Sequence, residues 1–178
     1  MYVAWTHGTR LRFTRFSVGA APGASMTALP TLTIEDTTSQ SSPRMAAAGK
    51  RVVIAWERKG SVVARVSTDT GESFKARRTV FQGAPSTGKV AFVTNADALG
   101  ATLIVSGAVS SEGITVRSGV RRTTNGGASW ATVGPEKTGG FVVGILGGAS
   151  SAPRLHLVWD ERFKAEPHEI RAQYLDLG

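Results

Sequence analysis

Apolar residues in this chain come in short, β-branched runs bounded by Gly, Ser, Thr and Asn, and no stretch keeps a helical apolar spacing for three turns. That pattern predicts an all-β chain of short antiparallel strands. The candidate strands are Tyr2–Thr6, Arg10–Ser17, Arg44–Ala48, Val52–Glu57, Val62–Ser67, Thr79–Gln82, Val90–Thr94, Thr102–Ser106, Ile114–Thr123, Phe141–Leu146, Leu155–Asp160 and Ile170–Leu177. Some runs, such as Val52-Val53-Ile54-Ala55-Trp56, are almost continuously apolar, as expected of a strand covered on both faces. The run after it, Val63-Ala64-Arg65-Val66, alternates more.

The strands repeat. Tyr-Val-Ala-Trp ends at Trp5, Val-Val-Ile-Ala-Trp ends 51 residues later at Trp56, and Leu-His-Leu-Val-Trp ends a further 103 residues on at Trp159. Midway through that double interval, Leu103-Ile104-Val105-Ser106 is the same strand without its tryptophan. One unit therefore recurs four times, over approximately 1–40, 41–84, 85–136 and 137–178. A period of roughly 50 residues with about four strands per unit predicts β-propeller blades. A lone four-stranded sheet cannot cover its own apolar faces, so such units stack. Trp5, Trp56 and Trp159 are the expected repeat core.

A second repeat lies on the first. Ser67-Thr68-Asp69-Thr70-Gly71-Glu72-Ser73-Phe74 and Thr123-Thr124-Asn125-Gly126-Gly127-Ala128-Ser129-Trp130 each follow the third strand of a unit. Both read Ser/Thr-x-Asp/Asn-x-Gly-x-Ser-aromatic. Asp or Asn accepts bonds from nearby backbone N–H groups, Gly supplies positive φ, hydroxyls add local bonds and the aromatic can tuck back into the sheet. Ser67, Asp69, Gly71, Ser73, Phe74, Thr123, Asn125, Gly127, Ser129 and Trp130 are therefore expected to be structural turn residues.

These segments resemble Asp-boxes, the bacterial neuraminidase repeats of sialidase-like β-propellers. Ser42 to Gly49, followed by Val-Val-Ile-Ala-Trp, is similar to the inner half of such a blade. The match is strict in the second and third units. The first has Phe16-Ser17-Val18-Gly19 at the corresponding place, without an acidic residue, and the fourth ends before such a turn. The resemblance implies a ring of six or more blades, of which about three and a half to four fit here. The expectation is an incomplete propeller: the C-terminal part of a larger one, or a reduced relative. An open partial ring exposes strand edges and a sheet face. Self-association or a protein partner that completes the fold is expected.

The resemblance also raises sialidase chemistry, in which arginines hold a substrate carboxylate and a tyrosine–glutamate pair and an acid/base carboxyl act on the glycosidic bond. Only Tyr2 and Tyr174 are present, and no Arg-Ile-Pro segment occurs. Arg65, Arg117 and Arg171 fall on third-strand candidates and Asp160 follows the last tryptophan; each reads either as a ligand group or as an ordinary strand residue. His7, His156 and His168 match no metal-ligand spacing, and Glu166-Pro167-His168-Glu169 reads as a turn, so no metal and no cofactor are expected. Gly139-Gly140, Gly144 and Gly147-Gly148 surround a strand rather than precede a helix, and Gly83 to Lys89 has the wrong spacing for a phosphate loop.

Composition narrows the partners. The chain has 178 residues, no cysteine and no apolar run long enough for a membrane-spanning helix. Its net charge of +8 favours acidic partners such as an anionic glycan. The basic residues are scattered, at most in short pairs such as Lys50-Arg51 and Arg121-Arg122, with no block of five or six and no basic-aromatic stacking surface in view, which argues against nucleic acid. No signal-peptide pattern opens the sequence, and the compartment stays open, although the resembled family is often secreted. The expected function is a non-catalytic propeller module for binding or assembly. The alternative is the C-terminal part of a sialidase-type glycoside hydrolase with its catalytic residues upstream.

Overall fold

The structure, a computed structural model, describes residues 1–19, 24–36, 43–83, 87–111, 114–137, 142–149, 151–161 and 169–177. Strands dominate, and no α-helix occurs among the described residues. In chain order they are β1 (Tyr2–His7), β2 (Arg10–Val18), β3 (Met26–Ala28), β4 (Leu32–Asp36), β5 (Arg44–Ala48), β6 (Arg51–Arg58), β7 (Ser61–Ser67), β8 (Arg78–Phe81), β9 (Lys89–Leu99), β10 (Thr102–Ser111), β11 (Ile114–Thr123), β12 (Ala131–Lys137), β13 (Val142–Ala149), β14 (Ala152–Glu161) and β15 (Glu169–Asp176).

They form four antiparallel sheets in chain order. The first joins β1 to β2, with β3 and β4 along the other edge of β2. The second is β5-β6-β7-β8, the third β9-β10-β11-β12 and the fourth β13-β14-β15. Strands β3, β4 and β12 were not expected from the sequence. Pro30 separates β3 from β4, and the break is bridged by Leu29, whose N–H donates to the Arg15 carbonyl at 2.8 Å and whose carbonyl accepts the Thr14 hydroxyl at 2.8 Å. β12 carries Gly134-Pro135, which reads as a chain breaker. It is an edge strand, where proline is tolerated, and its pairing with β11 shifts register between Ser118 and Val120.

The sheets pack face to face in sequence. Leu11, Phe13 and Ile34 of the first meet Val52, Ile54, Trp56 and Val63 of the second. Val53, Ala55, Ala64, Val66 and Phe81 on the other face of the second meet Val93, Leu103, Val105 and Val109 of the third. Ile104 and Val120 on the far face of the third meet Val142, Leu155, Leu157 and Trp159 of the fourth. The apolar run 52–56 is thus divided by strand alternation between two interfaces, and all five of its side chains are fully buried. Each sheet has a rear face, turned to the sheet before it, and a forward face, turned to the sheet after it. No apolar cluster among the described residues joins the fourth sheet to the first.

This polarity explains the tryptophans. Trp56 and Trp159 both lie on rear faces, fully buried and 8% exposed respectively. Pairing to the turn-bearing strand places Gly107 of the third sheet at the Trp56 position, because Val52 is opposite Ser67 as Leu103 is opposite Thr123. Phe81 of the second sheet fills the space: a Cβ built on Gly107 would lie 2.8 Å from its ring. Trp5 holds the same rear position in the first sheet. No described sheet packs there, and Trp5 is half-buried and outside the clusters.

Removing the indole from the doubly covered second sheet leaves a large cavity. Trp56→Ala is expected to cost about 3–5 kcal/mol, read by urea unfolding. A loss below about 1 kcal/mol contradicts the packing.

Candidate functional site

The two repeated turns connect β7 to β8 and β11 to β12, and they share one hydrogen-bond plan. In the first, the Ser67 hydroxyl donates to Asp69 Oδ1 at 2.6 Å and accepts the Gly71 N–H at 2.8 Å. Asp69 Oδ1 accepts the Ser73 N–H at 3.0 Å, and Oδ2 accepts the Ser73 hydroxyl. In the second, the Thr123 hydroxyl donates to Asn125 Oδ1 at 2.8 Å and accepts the Gly127 N–H at 3.0 Å. Asn125 Oδ1 accepts the Ser129 N–H at 3.1 Å, while its amide donates to Ser129 Oγ at 2.8 Å. The last bond reverses direction because an amide nitrogen can only donate, whereas a carboxylate oxygen can only accept. Two successive residues have positive φ in each turn, Thr70 and Gly71 (61° and 82°), then Gly126 and Gly127 (68° and 82°).

Both turns wedge against the preceding sheet. A Cβ on Gly71 would lie 2.7 Å from the Phe13 ring, and one on Gly127 would lie 2.7 Å from a Val66 methyl. Phe74 meets Phe13 edge-on at 5.0 Å between centroids, and Trp130 packs on the cluster between the second and third sheets. The hydroxyl of Ser67, then that of Ser73 and the Ser73 N–H, hold the Asp69 carboxyl well below the usual carboxylate range.

The three candidate arginines do not converge. Arg65 lies opposite Ile54, Arg117 opposite Val109 and Arg171 opposite Trp159, on three different sheets and at different heights along their strands. Arg65 buries its Nε–H without a hydrogen-bond partner. Arg117 donates to the Gln82 carbonyl of the second sheet at 3.3 Å and lies 3.8 Å from Glu136. Arg171 is exposed. Asp160 lies on β14 opposite Ile170, and its side chain falls outside the described residues. So do His168, Glu166, Gly139 and Gly140. His7 is exposed, and His156 lies 6.5 Å from the Tyr174 ring. No group of three His, Asp or Glu side chains among the described residues is placed to hold a metal. No described helix is long and apolar enough to cross a membrane.

Charged groups that sequence reading did not single out tie neighbouring sheets. Glu35 of the first sheet, its side chain 10% exposed, takes Arg77, just before β8, at 2.8 Å and Arg58 of β6 at 3.6 Å. Arg15 reaches Glu72 in the first turn at 3.1 Å. The Arg121 guanidinium covers the Phe81 ring at 4.6 Å, and the Lys137 ammonium covers Trp159 at 4.1 Å. Arg122 donates to the Leu177 carbonyl at 2.8 Å. The strands that open the second, third and fourth sheets are also tied: Arg44 of β5 donates to the Thr94 carbonyl of β9, and Thr94, Asn95 and Asp97 of β9 bond the backbone of β13 at Val142, Gly144 and Leu146. The polar segment Thr94-Asn95-Ala96-Asp97 in an otherwise apolar strand was the one available signal of this role.

No protein-family model matches the chain, and no curated protein matches it significantly.

Gly127→Val forces a β-branched residue into positive φ and into the Val66 methyls. It is expected to cost about 2–3 kcal/mol, measured by thermal unfolding; unchanged stability contradicts the turn geometry. For Asp69, the folded carboxyl is depressed, so its stabilising contribution is present above the unfolded pKa of about 4 and is lost as pH falls further. Asp69→Asn, which copies Asn125, is expected to leave neutral-pH stability within about 1 kcal/mol and to flatten the stability–pH curve below pH ~4. A curve parallel to the unsubstituted protein contradicts the carboxylate's role.

Proposed function

We propose that this chain is a β-propeller section whose four sheets are blades, with Asp-box turns at the second and third, and that it acts as a non-catalytic binding or assembly module. The observation that carries the reading is the pair of turns: the same bonds at the same place in successive sheets, each wedged against the sheet before. The ties of β9 to β5 on one side and to β13 on the other support a radial arrangement, since the opening strands of successive blades would be neighbours around an axis.

The chemistry favours scaffolding over turnover. Arg65, Arg117 and Arg171 stand on separate sheets, too dispersed to grip one carboxylate, and Arg117 is engaged with its own and a neighbouring sheet. Basic residues beyond those ties give the surface its affinity for acidic partners, an anionic glycan being the fitting small ligand; the fold itself does not choose among them. The remaining open sheet faces suit a second copy or another protein. A fluorogenic sialoside assay at high protein concentration is expected to show no turnover above a buffer control. Turnover abolished by Arg171→Ala would overturn the module in favour of a sialidase-type hydrolase part.

A further inference from the structure

Exposed apolar side chains are not scattered over this molecule. Eight large ones are exposed among the described residues, and seven lie on the two sheet faces that no neighbour covers. Met1 just before β1, Val3 of β1, Val18 of β2 and Met26 of β3 share the rear face of the first sheet, at 55%, 37%, 61% and 54% exposure. Register places them together: Val3 is opposite Thr14, Val18 is opposite Met26, and Met1 bonds across to Phe16. The half-buried Trp5 continues the row. Ile145, Ile170 and Tyr174 share the forward face of the fourth sheet, at 46%, 80% and 62%. There Ile145 and Tyr174 flank His156, and Ala172 lies opposite Val158. Exposed ion pairs border both patches, Arg10 with Asp36 at 3.3 Å and Arg154 with Asp176 at 3.0 Å, as a polar rim borders an apolar interface.

The three internal contacts say which face fits which. Strand position marks the faces independently: Trp56, Gly107 and Trp159 hold the same place in their sheets, and each lies against the sheet before it, so every contact joins two unlike faces in the same sense. The first sheet has an unfilled rear face and the fourth an unfilled forward face. Together they make the two halves of a fourth contact of the same kind.

We infer that the forward face of the fourth sheet in one copy docks on the rear face of the first sheet in a second copy, so that the chain associates head to tail through a surface that continues its internal stacking. The interface is heterologous, with different surfaces on its two sides, and therefore extends to rings or chains of copies rather than stopping at a symmetric pair. The proposal rests on the module reading above and names its partner as a second copy.

A complementation experiment tests it. Val3→Glu blocks the first face and Ile145→Glu the second, both at exposed positions; Met26→Glu and Ile170→Glu replace them if either variant fails to match the thermal midpoint of the unsubstituted protein. Light scattering across a concentration series is expected to show association of the unsubstituted chain. Each variant alone should be monomeric, its association weakened at least ~100-fold by a carboxylate facing an apolar surface. An equimolar mixture should form a one-to-one dimer, because each variant supplies the face that the other lacks. A monomeric unsubstituted chain, self-association of either variant, or a mixture that stays monomeric overturns the proposal. Those results leave the sialoside result untouched, so failure of head-to-tail docking and failure of the non-catalytic reading are told apart.

Discussion

Everything in this molecule follows from strands that are apolar on both sides. A strand such as β6, with Val52, Ile54 and Trp56 on one face and Val53 and Ala55 on the other, cannot lie at a surface. Its sheet must be covered twice, and with no α-helix among the described residues the cover is another sheet. With short connections between consecutive strands, the cheapest cover is the sheet just before in the chain and the sheet just after. The result is a sequential stack in which, among the described residues, the first and fourth sheets each keep one face that no apolar cluster covers. Seven side chains of the kind normally buried lie on those two faces, which is what the same constraint leaves unsatisfied within a single chain.

Close packing then sets the glycines and the turns. At each of the three interfaces a glycine lies under a neighbour's side chain: Gly71 under Phe13, Gly107 under Phe81, and Gly144 under Val120. A Cβ at any of these would sit below 3 Å from that neighbour. The repeated turns serve the same packing, since their side-chain bonds replace backbone partners and let a tight loop with positive φ press onto the preceding sheet. Where polar groups enter the interfaces they are tied. Glu35 takes Arg58 of β6 and Arg77 just before β8, and the Ser106 hydroxyl accepts the Gly144 N–H at 2.8 Å. The basic composition is thus partly an internal matter, with Arg58, Arg77, Arg117, Arg121 and Arg122 joining sheets.

Much of this was legible beforehand because it is local. The strands containing Trp56 and Trp159, the unit spacing and the two Ser/Thr-x-Asp/Asn-x-Gly turns all follow from short-range chemistry: apolar runs, positive φ and hydroxyl caps. What was not legible depends on partners distant in sequence. β12 carries Gly134-Pro135 and is a strand only because β11 offers it an edge; β3 and β4 likewise exist as two pieces of the far edge of β2. Trp5 matches the other tryptophans in its strand, but whether a rear face is covered depends on another sheet. The heights of Arg65, Arg117 and Arg171 depend on strand register, which scatters residues that the sequence places on corresponding strands.

The claim that supports the rest is the order and polarity of the sheet contacts, and proton–proton proximity across them reports it most directly. In a nuclear Overhauser spectrum of the labelled protein, the account predicts cross-peaks from the Gly71 α-protons to the Phe13 ring, from Gly107 to the Phe81 ring, from Gly127 to the Val66 methyls and from Gly144 to the Val120 methyls. Together these span all three interfaces. A folded, dispersed spectrum in which these pairs are silent, or in which Trp56 contacts the fourth sheet instead of the first, would contradict the stack.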